Sequence, residues 1–186
     1  MNDYLLDGLH LVIPGSGHEA EYCRVMDKWE AVGEKIQPPS MRRYSSKLKA
    51  NVSFAKWLEW CEDDRATGSC LVTQAPYTMH FLMNSVNEIL GGIDISSVNT
   101  PRGHLHAGIV PWCRGKGYGT AMLHLALLRC NEMGLQRVQI VPRKDNIGAI
   151  QTILRNGGIF MGDFYDDDVL CSRYEIDTLI HDGMTI

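Results

Sequence analysis

The sequence has little of what marks several common protein classes. None of its six cysteines, Cys23, Cys61, Cys70, Cys113, Cys130 and Cys171, forms a C-x-x-C pair, so neither a structural zinc site nor a dithiol redox motif is signalled. Their wide, irregular spacing suits reduced thiols that act as small apolar fillers. No run approaches the ~18 apolar residues that a membrane span needs. The first ten residues carry Asp3 and Asp7 and no apolar core, so no secretory signal is expected. Positive charge is scarce too: 18 Lys and Arg stand against 22 Asp and Glu, a formal net charge of −4. A mildly acidic chain is poorly suited to nucleic acid, which attracts positive surfaces. Internal repeats and low-complexity linkers are also missing. These absences point to a cytoplasmic globular protein without a membrane, nucleic-acid or metal partner. At 186 residues, the expectation is a single domain over residues 1–186 with room for a sizeable core.

What is present is a sequence of alternating element signals. Leu9 to Pro14 reads as a strand that ends at a Pro-Gly turn. Glu19 to Glu34 reads as a helix with Tyr22, Met26 and Trp29 on its apolar stripe, stopped by Pro38-Pro39. Residues 37–51 lack periodicity, carry Arg42, Arg43, Lys47 and Lys49, and read as a loop. Ser53 is a plausible N-cap for a helix whose Phe54, Trp57, Leu58 and Cys61 share one face. Strands then follow over Met79–Met83 and Glu88–Ser96, turning at 84–87, and over His104–Pro111. A helix from Thr120 to Met133 closes at Gly134, a residue that tolerates positive φ. Arg137–Pro142 is a strand, Asp145 or Asn146 caps a helix carrying Ile147, Ile150 and Leu154, and a last hairpin turns at Asp166-Asp167-Asp168. The order describes an α/β (α+β) fold, a mixed sheet covered by helices.

The strongest local signal is the stretch Val110-Pro111-Trp112-Cys113-Arg114-Gly115-Lys116-Gly117-Tyr118-Gly119-Thr120. Three glycines alternate between a strand and a helix. Glycine permits tight turns and lets a ligand approach the main-chain N–H groups. The helix start adds free N–H groups and the positive end of its dipole, and Arg114 and Lys116 add cations. Such a segment suits a pyrophosphate; the bland alternative is a solvated basic turn. A Walker loop fails because Gly117 follows Lys116. A dinucleotide fingerprint is weak, because the glycines run G-x-G-x-G and the next strand carries no acid.

Arg114, Gly117 and Gly119 match R-x-x-G-x-G/A, the pyrophosphate loop of the GNAT (Gcn5-related N-acetyltransferase) family. The resemblance extends through Ile109-Val110-Pro111, the helix to Gly134, the strand to Pro142, Asp145-Asn146 and Asn156-Gly157-Gly158. It is specific from about His104 to Phe160. The N-G-G ending and Arg173-Tyr174-Glu175-Ile176 resemble a bacterial subgroup of the family. The resemblance implies a central sheet of six to seven strands flanked by about four helices. It also implies direct acyl transfer from acetyl-coenzyme A to an amine of a small molecule or peptide, and a homodimer among the open possibilities. It assigns the pyrophosphate to the main chain of Arg114, Gly115, Lys116, Gly117, Tyr118, Gly119 and Thr120. It assigns the pantetheine arm to Ile109 and Val110, with Asn146 near the thiol end unless that residue only caps its helix.

The acceptor side is less defined. A protonated amine must lose a proton before it attacks. Family members often place a carboxylate on the strand before the loop, whereas this sequence has His104 and His106 there, on one face of the strand. Imidazole titrates near neutrality and can act as base; both histidines can equally be structural, and no third ligand stands at metal-binding spacing. Asp94 on the neighbouring strand is the fallback base. The family's usual thiolate-protonating tyrosine corresponds to Ile153, and residues 147–156 contain no tyrosine. Tyr165 is a distant substitute. The resemblance thus leaves a catalytically silent acyl-coenzyme A-binding protein as the alternative.

Overall fold

The computed structural model describes residues 7–42, 52–67 and 75–179. Arg43, Lys47 and Lys49 of the expected basic loop lie outside the described residues. The elements are β1 (His10–Val12), α1 (Glu19–Val32), α2 (Phe54–Thr67), β2 (Thr78–Met83), β3 (Ile89–Thr100), β4 (Gly103–Ile109), α3 (Tyr118–Glu132), β5 (Arg137–Ile140), α4 (Ile147–Arg155), β6 (Ile159–Asp166) and β7 (Val169–Asp177). Single 3-10 turns at Ser16–His18, Pro39–Met41 and Pro111–Cys113 join them. Among the described residues seven strands form one sheet in the order β1-β2-β3-β4-β5-β7-β6, and these with the four helices agree with the expected architecture. Every ladder of more than one pair is antiparallel.

Local chemistry explains the element ends. Ser53 accepts the Lys56 N–H on its hydroxyl at 3.2 Å, the expected N-cap. Gly33 and Gly134 stop α1 and α3 with φ of 77° and 80°, a conformation in which a Cβ would be strained. The Asn84 turn is held by its own side chain: Oδ1 accepts the N–H groups of Val86 and Glu88 at 3.2 and 2.9 Å. β3 runs four residues past the expected end at Ser96, because the β3–β4 register slips between Ile95 and Thr100 before Thr100 pairs with Gly103. That slip erases the alternation by which a strand is recognised.

Tyr22, Val25, Met26 and Trp29 of α1 and Trp57 of α2 are buried. Tyr22 stacks on Trp57 with centroids 4.4 Å apart, and Trp57 on Phe81 of β2 at 5.9 Å. Each aromatic pair contributes about 0.5–1.5 kcal/mol beyond its buried area. α3 covers the other face. Ala121, Met122, Leu123, Ala126, Leu127 and Cys130 are all buried, so this helix is apolar over most of its circumference.

Candidate active site

The geometry begins at β4. On one side it pairs with β3 from Gly91↔Ile109 to Ile95↔Leu105. On the other it meets β5 only at Gly103↔Ile140. The sheet is therefore unzipped from residue 104 onward. The Val110 N–H donates to the Leu90 carbonyl at 3.0 Å, which sets the phase of the β3–β4 ladder. By the alternation of antiparallel pairing, the main-chain groups of Leu105, Ala107 and Ile109 point into the gap, whereas those of His106 and Gly108 bond β3. Of the two strand residues expected at the site, Ile109 presents its groups to the gap. Val110 is fully buried with its N–H occupied.

The gap ends at the glycine turn. Gly115 and Gly117 have φ of 75° and 87°, so both turn residues occupy the region that glycine favours. The first main-chain bond of α3 runs from the Ala121 N–H to the Gly117 carbonyl at 3.1 Å, leaving the N–H groups of Tyr118, Gly119 and Thr120 without a helical acceptor. Lys116 is exposed. The Arg114 side chain turns back: Nε donates to the Ile109 carbonyl at 3.0 Å and the guanidinium pairs with Glu34. Arg114 thus braces the turn against the strand. A Cβ on Gly119 would stand 3.4 Å from Thr152 Oγ1 and 3.7 Å from Ile109, so that glycine marks where α4 and β4 close on the start of α3. Asn156 completes the joint, donating from Nδ2 to the Thr120 and Thr152 carbonyls at 3.2 and 2.9 Å.

The three candidate bases share one sheet face but differ in surroundings. His104 is buried, and its Nδ1 accepts the Gln139 N–H at 3.0 Å; burial lowers its pKa. The ring stands in for a missing rung between β4 and β5. His106 is half-buried and its ring makes no hydrogen bond among the described residues; burial, then the Arg102 charge, lower its pKa. Asp94 lies directly across the ladder from His106 and is 2% exposed. Burial raises its carboxyl to about 8 against the pull of hydrogen bonds from Ser40.

Residues 37–41 cross this face as a strap, which sequence reading missed. Gly92 and Gly108 are cross-strand partners and together make its groove. A Cβ on Gly108 would lie 2.4 Å from the Gln37 carbonyl oxygen, and one on Gly92 2.7 and 2.8 Å from Met79 and Met41. Ser40 is thereby set over Asp94, to which its hydroxyl donates. The two glycines inside strands were the available signal, since glycine there marks a close approach.

On the far side of the gap, Asn146 caps α4, its Oδ1 accepting the Ala149 N–H at 3.1 Å. Ile153 is buried at 2% exposure and Tyr165 is 70% exposed, so no tyrosine hydroxyl stands at the position that the resemblance indicated. No group of three or more His, Cys, Asp or Glu able to hold a metal occurs among the described residues. No helix among them is long and apolar enough to cross a membrane.

This architecture recurs in solved acetyltransferases. RimJ of Mycobacterium smegmatis, in complex with CoA-disulfide, superposes with a TM-score of 0.68 at 16% identity, over 96% of this chain and 90% of that one. The Microcin C7 self immunity acetyltransferase MccE, in complex with acetyl-CoA and AMP, gives 0.65 at 15% over 93% and 94%. Spermidine N-acetyltransferase from Vibrio cholerae, in complex with CoA and spermine, gives 0.63 at 14% over 94% and 98%. At such identities the likeness shows the fold. Residues 29–157, more than half of the chain, match the model of the acetyltransferase (GNAT) family. The chain belongs to the GNAT family, whose members are acyltransferase enzymes. No curated protein matches the sequence.

Proposed function

We propose that this chain is an acetyl-coenzyme A-dependent N-acetyltransferase that passes the acyl group directly to an amine of a small molecule or peptide. One observation carries the reading: the unzipped edge of β4 runs into a turn of unpaired main-chain N–H groups. The N–H groups from Gly115 to Thr120, with Lys116, suit the pyrophosphate. The inward-facing groups of Ala107 and Ile109 suit the amides of the pantetheine arm, and Asn146, whose Oδ1 caps α4, is proposed to offer its Nδ2 to the same arm. The Ile109 N–H is the donor proposed for the thioester oxyanion, since the Val110 N–H is occupied.

His106 is the base that this geometry favours. His104 accepts a main-chain N–H on Nδ1, so its neutral tautomer carries the proton on Nε2 and has no lone pair to offer. His106 takes a proton from the acceptor ammonium. The neutral amine attacks the thioester carbonyl carbon, the oxyanion forms and collapses, the carbon–sulfur bond breaks, and the nitrogen's surplus proton passes through water to the departing sulfur, leaving a neutral amide and a free thiol. The thiolate leaves without a dedicated acid, its pKa being only moderately above neutrality.

The test is release of free thiol from acetyl-coenzyme A over a panel of polyamines, aminoglycosides and peptides, with calorimetric titration of coenzyme A alongside. Amine-dependent thiol release is expected. Absence of coenzyme A binding would overturn the reading. Tight binding without turnover on any amine would instead favour the catalytically silent alternative, which the aliphatic Ile153 supports.

A further inference from the structure

We propose that two copies of this chain associate edge to edge through β6 and the outer face of α4, each continuing the other's sheet across a two-fold axis. Among the described residues β6 is the last strand of the sheet and pairs only with β7. Its outer edge therefore offers main-chain groups to another strand. Ile147 and Leu154 of α4, Ile159, Phe160 and Met161 at the start of β6, and Tyr165 near its end are between 52% and 70% exposed. Ile147 and Leu154 stand two turns apart on one side of α4, while Ile153 turns into the core. The register places Phe160 opposite Tyr174, Asp163 opposite Ser172 and Tyr165 opposite Leu170, so these three β6 side chains rise on one face of the sheet. Lys144, three residues before Ile147, reaches Asp163 on that face and ties the start of α4 to the strand. The apolar residues thus form one continuous patch that runs from α4 over the edge of the sheet.

Side chains of this size carry roughly 150–250 Å² each, so these six leave on the order of 700 Å² of largely apolar surface open. The largest such patch on a monomer is about 300–600 Å², whereas each partner in a stable complex covers about 800 Å². Other exposed large apolar residues, Ile13, Val32, Val86, Val98 and Met133 among them, lie apart on separate segments. A second copy is the occupant that the strand itself suits. Two identical strands can pair antiparallel about a two-fold, where each presents to its mate the surface that it receives. Charge selects no partner of opposite sign, because the two acids of β6, Asp163 and Asp166, are already paired with Lys144 and Arg102. β6 contains no Lys, Arg or Pro, the residues that ordinarily guard an edge. A register shift between Phe160 and Gly162 leaves Met161 unmatched in the β7 ladder, where it adds to the open edge. β7 and β5 stand between this edge and the gap beside β4, so the gap of each copy stays open in the pair. The pairing stands whether or not the chain transfers an acyl group.

The test is sedimentation velocity of the full chain from about 0.5 to 100 µM, in wild type, Ile159→Lys, Met161→Lys and Val86→Lys. Wild type is expected to reach twice the chain mass of 20.9 kDa. Ile159→Lys and Met161→Lys bring like charges together across the two-fold and should each raise the dissociation constant about tenfold or more. Both positions are more than half exposed, so circular dichroism should match wild type. Val86→Lys, at the Asn84 turn, should leave the mass unchanged. Hydrogen exchange at high concentration supplies a second reading: the β6 amides should exchange faster in Met161→Lys than in wild type, while the β2 amides should not differ. A single-chain mass over the whole range overturns the proposal. So does a dimer that both β6 variants leave intact, since the copies then meet through another surface.

Discussion

At the scale of single residues, two buried tryptophans look alike in the sequence and differ in the structure. Trp29 and Trp57 both sit at apolar helical positions and are both buried. The Trp29 indole N–H has no acceptor among the described residues, whereas that of Trp57 donates to the Ser40 carbonyl. Leaving a buried polar group unpaired costs about 1–3 kcal/mol. Trp29→Phe removes an unpaired donor and loses apolar area; Trp57→Phe also orphans a carbonyl and frees the strap. Thermal melts should rank Trp57→Phe as the less stable by at least about 1 kcal/mol. An equal or reversed ranking would show that the strap bond contributes little. The histidines make the same point. Their shared face was legible from period-two spacing, but their roles depend on Gln139, thirty-five positions away, and no local pattern carries that information.

At the scale of elements, the glycine turn was the most legible part of the chain, because its constraint is local. Positive φ, a helix start and flanking cations all lie within eleven residues. The structure nonetheless separates its glycines. Gly117 needs its backbone region, with φ of 87°. Gly119 is helical, and an added Cβ there meets Thr152 at an ordinary contact distance of 3.4 Å. Calorimetry should therefore show Gly117→Ala weakening coenzyme A binding about tenfold, given ~1–2 kcal/mol of backbone strain. Gly119→Ala should weaken it less. Unchanged affinity in Gly117→Ala would count against the turn as the phosphate site. The strap over Gly92 and Gly108 was hidden for the opposite reason. Pro38-Pro39 announces the end of α1, but nothing in 37–41 says which strands it will cross.

At the scale of the whole molecule, fold class, strand number and helix number were readable, since each amphipathic stripe requires a covering layer. The pH response was not, because it comes from groups buried by distant parts of the chain. His80 is buried and depressed to about 4. It contributes stability above the unfolded histidine value of ~6.5 that is lost as pH falls through about 4. Asp94 is raised to about 8. Its contribution is full below the unfolded carboxyl value of ~3.9 and is lost as pH rises through about 8. Between about pH 4 and 6.5 the slopes of His80 and Asp94 oppose each other, and the lowered His104 and His106 add a rise there, so the melting temperature should peak at about pH 6.5 and fall towards pH 8. Asp94→Asn should flatten the alkaline decline between pH 6.5 and 8; an unaltered slope would show that other groups set it.

The single rung at Gly103↔Ile140 divides the sheet into two boards that meet at one corner, β1 to β4 on one and β5 to β7 on the other. Each board keeps its own complete ladders, and the two are joined across the seam by that pairing and by the His104–Gln139 bond. The Arg102–Asp166 ion pair pins the hairpin tips of the two boards together. The room between the boards, and hence the bulk of what can lie there, is set by the angle at which that corner and this ion pair hold them.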